Sequence, residues 1–161
     1  MAVAEIIGAA IGVLLLVVVA YLLVGGTLTA AETMANAQKD LTMQNEVRLR
    51  TSINITANQP STDNVIINVT NNGNEIISDY SHMDVYSYNG TQGFQYYTYD
   101  HCTSCTPGTG YWAIQSFEND LLHPKELDPG ERMNIIITFP GVNPIRFQVT
   151  TSNGVSAQTA I

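Results

Sequence analysis

Three patterns of apolar and polar positions follow one another along the chain. Residues 6–24 carry no charged or strongly polar side chain. Beyond Gly25-Gly26, apolar groups return every third or fourth position through Leu28, Ala31, Met34, Leu41 and Val47. From Thr51 onward they alternate with polar residues. The first pattern is long enough to cross a bilayer core as a helix. The second continues it, in residues of good helix propensity with no proline before Pro60. Together they predict one helix of roughly forty residues, about 65 Å at 1.5 Å per residue, with Gly25-Gly26 the place for a kink.

The third pattern predicts strands at 52–56, 65–70, 84–88, 94–99, 111–117, 133–139, 145–150 and 155–159. Turn residues separate them at Asn71-Asn72-Gly73-Asn74, Asn89-Gly90, Pro107-Gly108, Asp128-Pro129-Gly130, Pro140-Gly141 and Asn153-Gly154. Short strands at that spacing predict an antiparallel, immunoglobulin-like β-sandwich. The fold class is therefore α+β: residues 1–50 form a transmembrane or filament-core helix, and residues 51–161 form one extracellular β-domain. Within the latter, Leu127-Asp128-Pro129-Gly130-Glu131 feeds an apolar run at 133–137 and is a fold signal without chemistry.

Charge narrows the partners. The formal net charge is −8, and from Thr51 onward ten acids face only Lys125, Arg132 and Arg146, a balance of −7. A basic face for phosphate is missing, so nucleic acid is excluded as a partner. Lys39, Arg48 and Arg50 follow the apolar run, and the positive-inside rule taken alone would put the β-domain in the cytoplasm. Lys39 stands far from the span, however, and the cysteines and the Asn-rich surface favour the outside.

For catalysis the sequence offers no nucleophile elbow, P-loop, HExxH or Gly-rich dinucleotide turn, and it implies no enzyme, cofactor or metal. Cys102 and Cys105 are the only cysteines. They read as a disulfide stapling the tip of a long hairpin loop. A redox pair would want the first cysteine at a helix N-terminus after a strand, and a structural zinc site recruiting His101, with His82 or His123, would want four ligands where a second CxxC is missing. The scattered acids, Asp120, Asp128 and Glu131 among them, lack the spacing of a calcium loop. Sequons at Asn54, Asn68 and Asn89 are candidates for glycosylation, with Asn89, in a turn, the best placed. Aromatic residues crowd 80–112. Adjacent strand residues point to opposite faces, so at least one of Tyr96 and Tyr97 lies outside. Tyr96, Tyr97, Tyr99 and Trp112 are the candidates for a surface contacting protein or carbohydrate.

Glu5, an acid at the edge of the apolar run, is costly to bury unless paired. Gly8 and Gly12 permit close helix approach, and Met34 and Leu41 continue the apolar stripe. The short N-terminus, Glu5, the long apolar helix and a β-sandwich carrying Leu127-Asp128-Pro129-Gly130-Glu131 and Asn153-Gly154-Val155-Ser156-Ala157 together resemble the archaeal type IV pilin superfamily. That superfamily includes archaellum filament subunits and the archaellum's membrane-anchored F and G components. The resemblance implies a non-enzymatic subunit of a motility or adhesion apparatus. Its helix would anchor it and, in a filament subunit, pack into the core of a helical homo-oligomer, with Glu5 pairing with a neighbour's N-terminal amine. Its β-domain would meet other archaellum or pilus components, or a surface-layer protein. No basic leader stands before Met1, so the expectation is either a removed leader or an uncleaved member. The rival reading is a membrane-anchored surface module that binds a surface-layer protein or glycan without polymerising. A further reading is a secreted protein whose first 30 residues are a removable signal, cut at Thr29-Ala30-Ala31.

Overall fold

The computed structural model describes residues 2–58 and 61–161. A single helix, α1 (Ala2–Arg50), is followed by β1 (Ile53–Asn58), β2 (Asn64–Asn71), β3 (Asp84–Asn89), β4 (Gly93–Thr103), β5 (Tyr111–Glu118), β6 (Arg132–Thr138), β7 (Arg146–Thr150) and β8 (Ser156–Ala160). The chain divides into two compact units, Met1–Gln44 and Asn45–Ile161.

In the first unit the helix is continuous. The part of α1 in this unit runs through Gly25-Gly26 without a break. Just after the glycines, the Thr27 and Thr29 hydroxyls donate to the carbonyls of Val24 and Gly25 at 2.9 and 3.0 Å. Such bonds give a hydroxyl a partner inside its own helix. The most apolar stretch has a mean hydropathy of 2.9.

The second unit begins with the last turn of α1. Thr51 ends the helix: its backbone N–H and its hydroxyl both donate to the Val47 carbonyl, at 3.1 and 2.9 Å. The eight strands follow in the order β1-β2-β6-β5-β4-β3-β7-β8. Every described ladder is antiparallel except β4 with β5. The long strand β4 serves both layers, pairing with β3 up to Tyr97 and with β5 from Thr98. The outermost strands β1 and β8 lie against one another, so the sandwich is nearly closed.

Alternation sets which side chains fill it. Strand β2 sends Val65, Ile67 and Val69 inward, each fully buried, against Met133, Ile135 and Ile137 of β6. Each such side chain contributes about 2 kcal/mol by leaving water. Trp112, Tyr97 and Phe147 are the largest enclosed groups.

The sandwich is mostly antiparallel, as expected, with β4–β5 its one described parallel ladder. One expectation is corrected: the cysteine loop is not a hairpin tip. Segment 104–110 turns back so that Tyr111 lies beside Thr98, making the connection a short parallel crossover. Gly110 takes a φ of +84° in that return, a region a side chain rarely adopts.

Candidate functional site

The expected assembly residues all lie on α1. At 100° per residue, Glu5, Gly8, Gly12, Met34 and Leu41 fall within about 80° of arc on a regular helix. Met34 and Leu41 are exposed, and the positions a Cβ would take at Gly8 and Gly12 are open among the described residues.

Among the described residues no three metal-ligating side chains converge. The histidines go separate ways. The His82 ring bonds Asp79 at 2.8 Å, the His123 ring bonds Asp128 at 2.9 Å, and His101 packs edge-on to Tyr99. Hydrogen bonding to His82 holds the Asp79 carboxyl below its usual range. Bonding to Asp128 raises the His123 imidazole above 6.5.

Three acids of the 119–131 loop accept hydrogen bonds from the loop's own backbone. Asp120 accepts from the Lys125 N–H, Asp128 from the His123 N–H, and Glu131 from the Asp128 and Leu121 N–H groups. Asn71, fully buried, donates to the carbonyls of Glu75 and Leu127 and accepts from the Gly73 N–H. These polar groups fix the loop that carries Leu127-Asp128-Pro129-Gly130-Glu131, so its regularity is structural.

Cys102 and Cys105 are joined as a disulfide, their Cα atoms 6.1 Å apart, with Cys102 on β4 itself. The sequons differ in access. Asn54 is exposed on the outer face of β1 and Asn68 is half-buried on β2. Asn89, expected to be the best acceptor, is buried: its amide donates to the Val142 carbonyl and accepts from the Thr91 N–H. A turn residue whose side chain stabilises the turn is no free acceptor.

The aromatic residues divide by strand alternation and sheet order. Tyr97 and Trp112, named as surface candidates, are fully enclosed. Tyr97 faces inward beside Val85 and shares a 2.8 Å hydrogen bond with Ser87. Trp112 packs on half-buried Tyr99, ring centroids 4.5 Å apart. Tyr96 does lie outside, in a cross-strand pair with Tyr86 at 5.3 Å, and the next pair along is Tyr88 with Phe94 at 5.0 Å. Desolvation, then the neighbouring Asp84, raises the Tyr96 hydroxyl above its usual value.

Strand β7 extends these rows. Gln148 lies opposite Tyr86 and Arg146 opposite Tyr88, with Gln158 of β8 beyond Gln148. Together they line a shallow cavity of about 350 Å³ on the outer face. Sequence reasoning listed these aromatics only as a cluster and missed Arg146, Gln148 and Gln158. Nothing in the local pattern says that β7 lies beside β3.

No family model matches the chain, and no curated protein matches it. Solved structures do. The archaellum periplasmic stator protein FlaG from Sulfolobus acidocaldarius is 22% identical with a TM-score of 0.52, over 69% of this chain and 99% of that one. A chain of the archaellum periplasmic stator complex of FlaF and FlaG from the same organism is 22% identical with a TM-score of 0.51, over 68% of this chain and 87% of that one. The chain thus shares the fold of archaellum stator proteins.

Proposed function

We propose that this chain is a non-enzymatic, membrane-anchored component of an archaellum or pilus-like apparatus, with α1 in the bilayer and the β-domain outside the cell. The observation that carries this reading is a β-sandwich of archaellum-stator fold in a chain that also carries an apolar helix long enough to span a membrane. Of the two forms expected, anchored component and filament subunit, the likeness to stator proteins favours the first. The partners are then other archaellum components, reached through the β-domain and through the helix face of Glu5, Gly8, Gly12, Met34 and Leu41. Small residues on that face let a second helix approach closely, the main source of association in lipid.

The test is mass spectrometry of filaments sheared from the native cell surface, compared with the membrane fraction. Retention in the membrane at low copy supports the anchored component. A chain that dominates the filaments would overturn it in favour of a filament subunit.

A second reading has its own support. The outward aromatic rows on β3 and β4 favour a surface module that contacts a surface-layer protein or a glycan without polymerising.

A further inference from the structure

The outer face of β3, β4, β7 and β8 combines three chemistries at known register. Two aromatic pairs, Tyr86 with Tyr96 and Tyr88 with Phe94, provide ring faces, and Phe94 is 79% exposed. Continuing the first row, the Gln158 amide donates to the Gln148 side-chain oxygen at 3.0 Å. That bond leaves further donor and acceptor capacity on both amides. At the end of the second row stands Arg146, which is exposed and makes no ion pair among the described residues. The only other arginine of the strands, Arg132, is engaged by Glu118 at 3.3 Å.

We propose that this face binds an acidic saccharide, with ring faces of the sugar on the aromatic pairs, hydroxyls on Gln148 and Gln158, and a carboxylate on Arg146. A purely apolar ligand would leave the guanidinium and the remaining hydrogen-bonding capacity of the two amides unmet, at a cost in affinity. A pyranose presents C–H groups on its faces and hydroxyls on its edge, which matches rings bordered by an amide row. Charge selects the acidic kind and its orientation. On a domain of net charge −7, Arg146 is an isolated cation, while Asp84 lies two rows away at the opposite end of the aromatic rows. A carboxylate is therefore attracted at one end and repelled at the other. A planar guanidinium also matches a carboxylate through two parallel hydrogen bonds. This inference rests on the second reading above, that the aromatic face is a contact surface, and not on the archaellum role.

The experiment is calorimetric titration of the full chain in lipid nanodiscs, with empty nanodiscs as the blank. The probes are trigalacturonate and its fully methyl-esterified form, which keeps the rings and removes the charge. The expected result is that the acid binds about tenfold tighter than the ester, a difference near 1.4 kcal/mol. Arg146→Gln should bring the two affinities together. Phe94→Ala, at a side chain so exposed that folding does not depend on it, should weaken the acid at least fivefold, to be read beside an unchanged thermal unfolding curve. Equal affinity of the unaltered chain for acid and ester, no binding of either, or an acid preference that survives Arg146→Gln would overturn the proposal. So would self-association of the chain abolished by Phe94→Ala, because the face would then belong to a second copy. Sheared-filament fractionation is indifferent to all of these results, so failure here leaves the archaellum reading to its own test.

Discussion

The backbone N–H of Asn74 donates to the carbonyl of Arg50 at 2.8 Å, joining the turn after β2 to the last residue of the helix. Asn72 adds a bond to the Ser52 carbonyl at 2.8 Å, and the Arg50 guanidinium lies 3.7 Å from the Glu75 carboxylate. Gly73 makes this approach possible, because a Cβ there would collide with the Arg50 carbonyl oxygen and the Ser52 nitrogen. The colliding atoms are backbone and cannot swing away. Gly73→Ala should therefore destabilise the second unit by about 2 kcal/mol. Thermal unfolding followed by tryptophan fluorescence measures this, and an unchanged midpoint would refute the tight junction.

Tyr96 and Tyr97 are neighbours with opposite fates. Removing the enclosed Tyr97 ring leaves a cavity and an unpartnered Ser87 hydroxyl, so Tyr97→Ala should cost about 4 kcal/mol. Tyr96→Ala, at a half-exposed site, should cost about 1 kcal/mol or less. Urea unfolding of the two variants decides it. Similar losses would mean that the faces of β4 are wrongly assigned.

His123 gives the fold a pH dependence. Its hydrogen bond to Asp128, then the charges of Asp128, Glu126 and Glu131, raise its affinity for a proton in the folded state. The folded state therefore binds the proton more tightly than the unfolded chain does. The contribution is complete below about pH 6.5, the unfolded value, and is lost as pH rises through the raised folded value. The melting temperature should fall across that window, and His123→Gln should flatten the fall. A slope unaltered by the substitution would assign the dependence to another group.

Glu5 lies in the first turns of α1, and under the proposed membrane role an unpaired carboxylate there is costly. Glu5→Ala should lower the recovery of assembled complexes, and Gly12→Leu should weaken helix association by blocking close approach. Energy transfer between labelled chains in vesicles reports both. Normal assembly of the Glu5→Ala chain would remove the pairing role.

The Cys102–Cys105 bridge closes a very short loop, which limits what it can contribute to about 2 kcal/mol on the loop-entropy account. Cys102→Ser with Cys105→Ser should lower the melting temperature by a few degrees and leave the chain folded, as circular dichroism would show. Complete unfolding would give the bridge a larger part than its loop length allows.

Local sequence determined the elements themselves. The uncharged run at 6–24 and the apolar recurrence to Val47 dictate a helix because each backbone bond closes within it, and the alternation at Val65, Ile67 and Val69 dictates a strand with one buried face. Tertiary structure alone decided which elements meet. Strand β4 leaves β3 for β5 after Tyr97, so the cysteine loop became a parallel crossover, and Trp112, Tyr97 and Asn89 turned from apparent surface groups into interior ones. The outer face joining Tyr86, Tyr88 and Phe94 to Arg146, Gln148 and Gln158 has the same origin. Periodicity records which way a side chain points from its own strand. Neighbours across a sheet are chosen by packing between segments far apart in the chain, which no local pattern encodes.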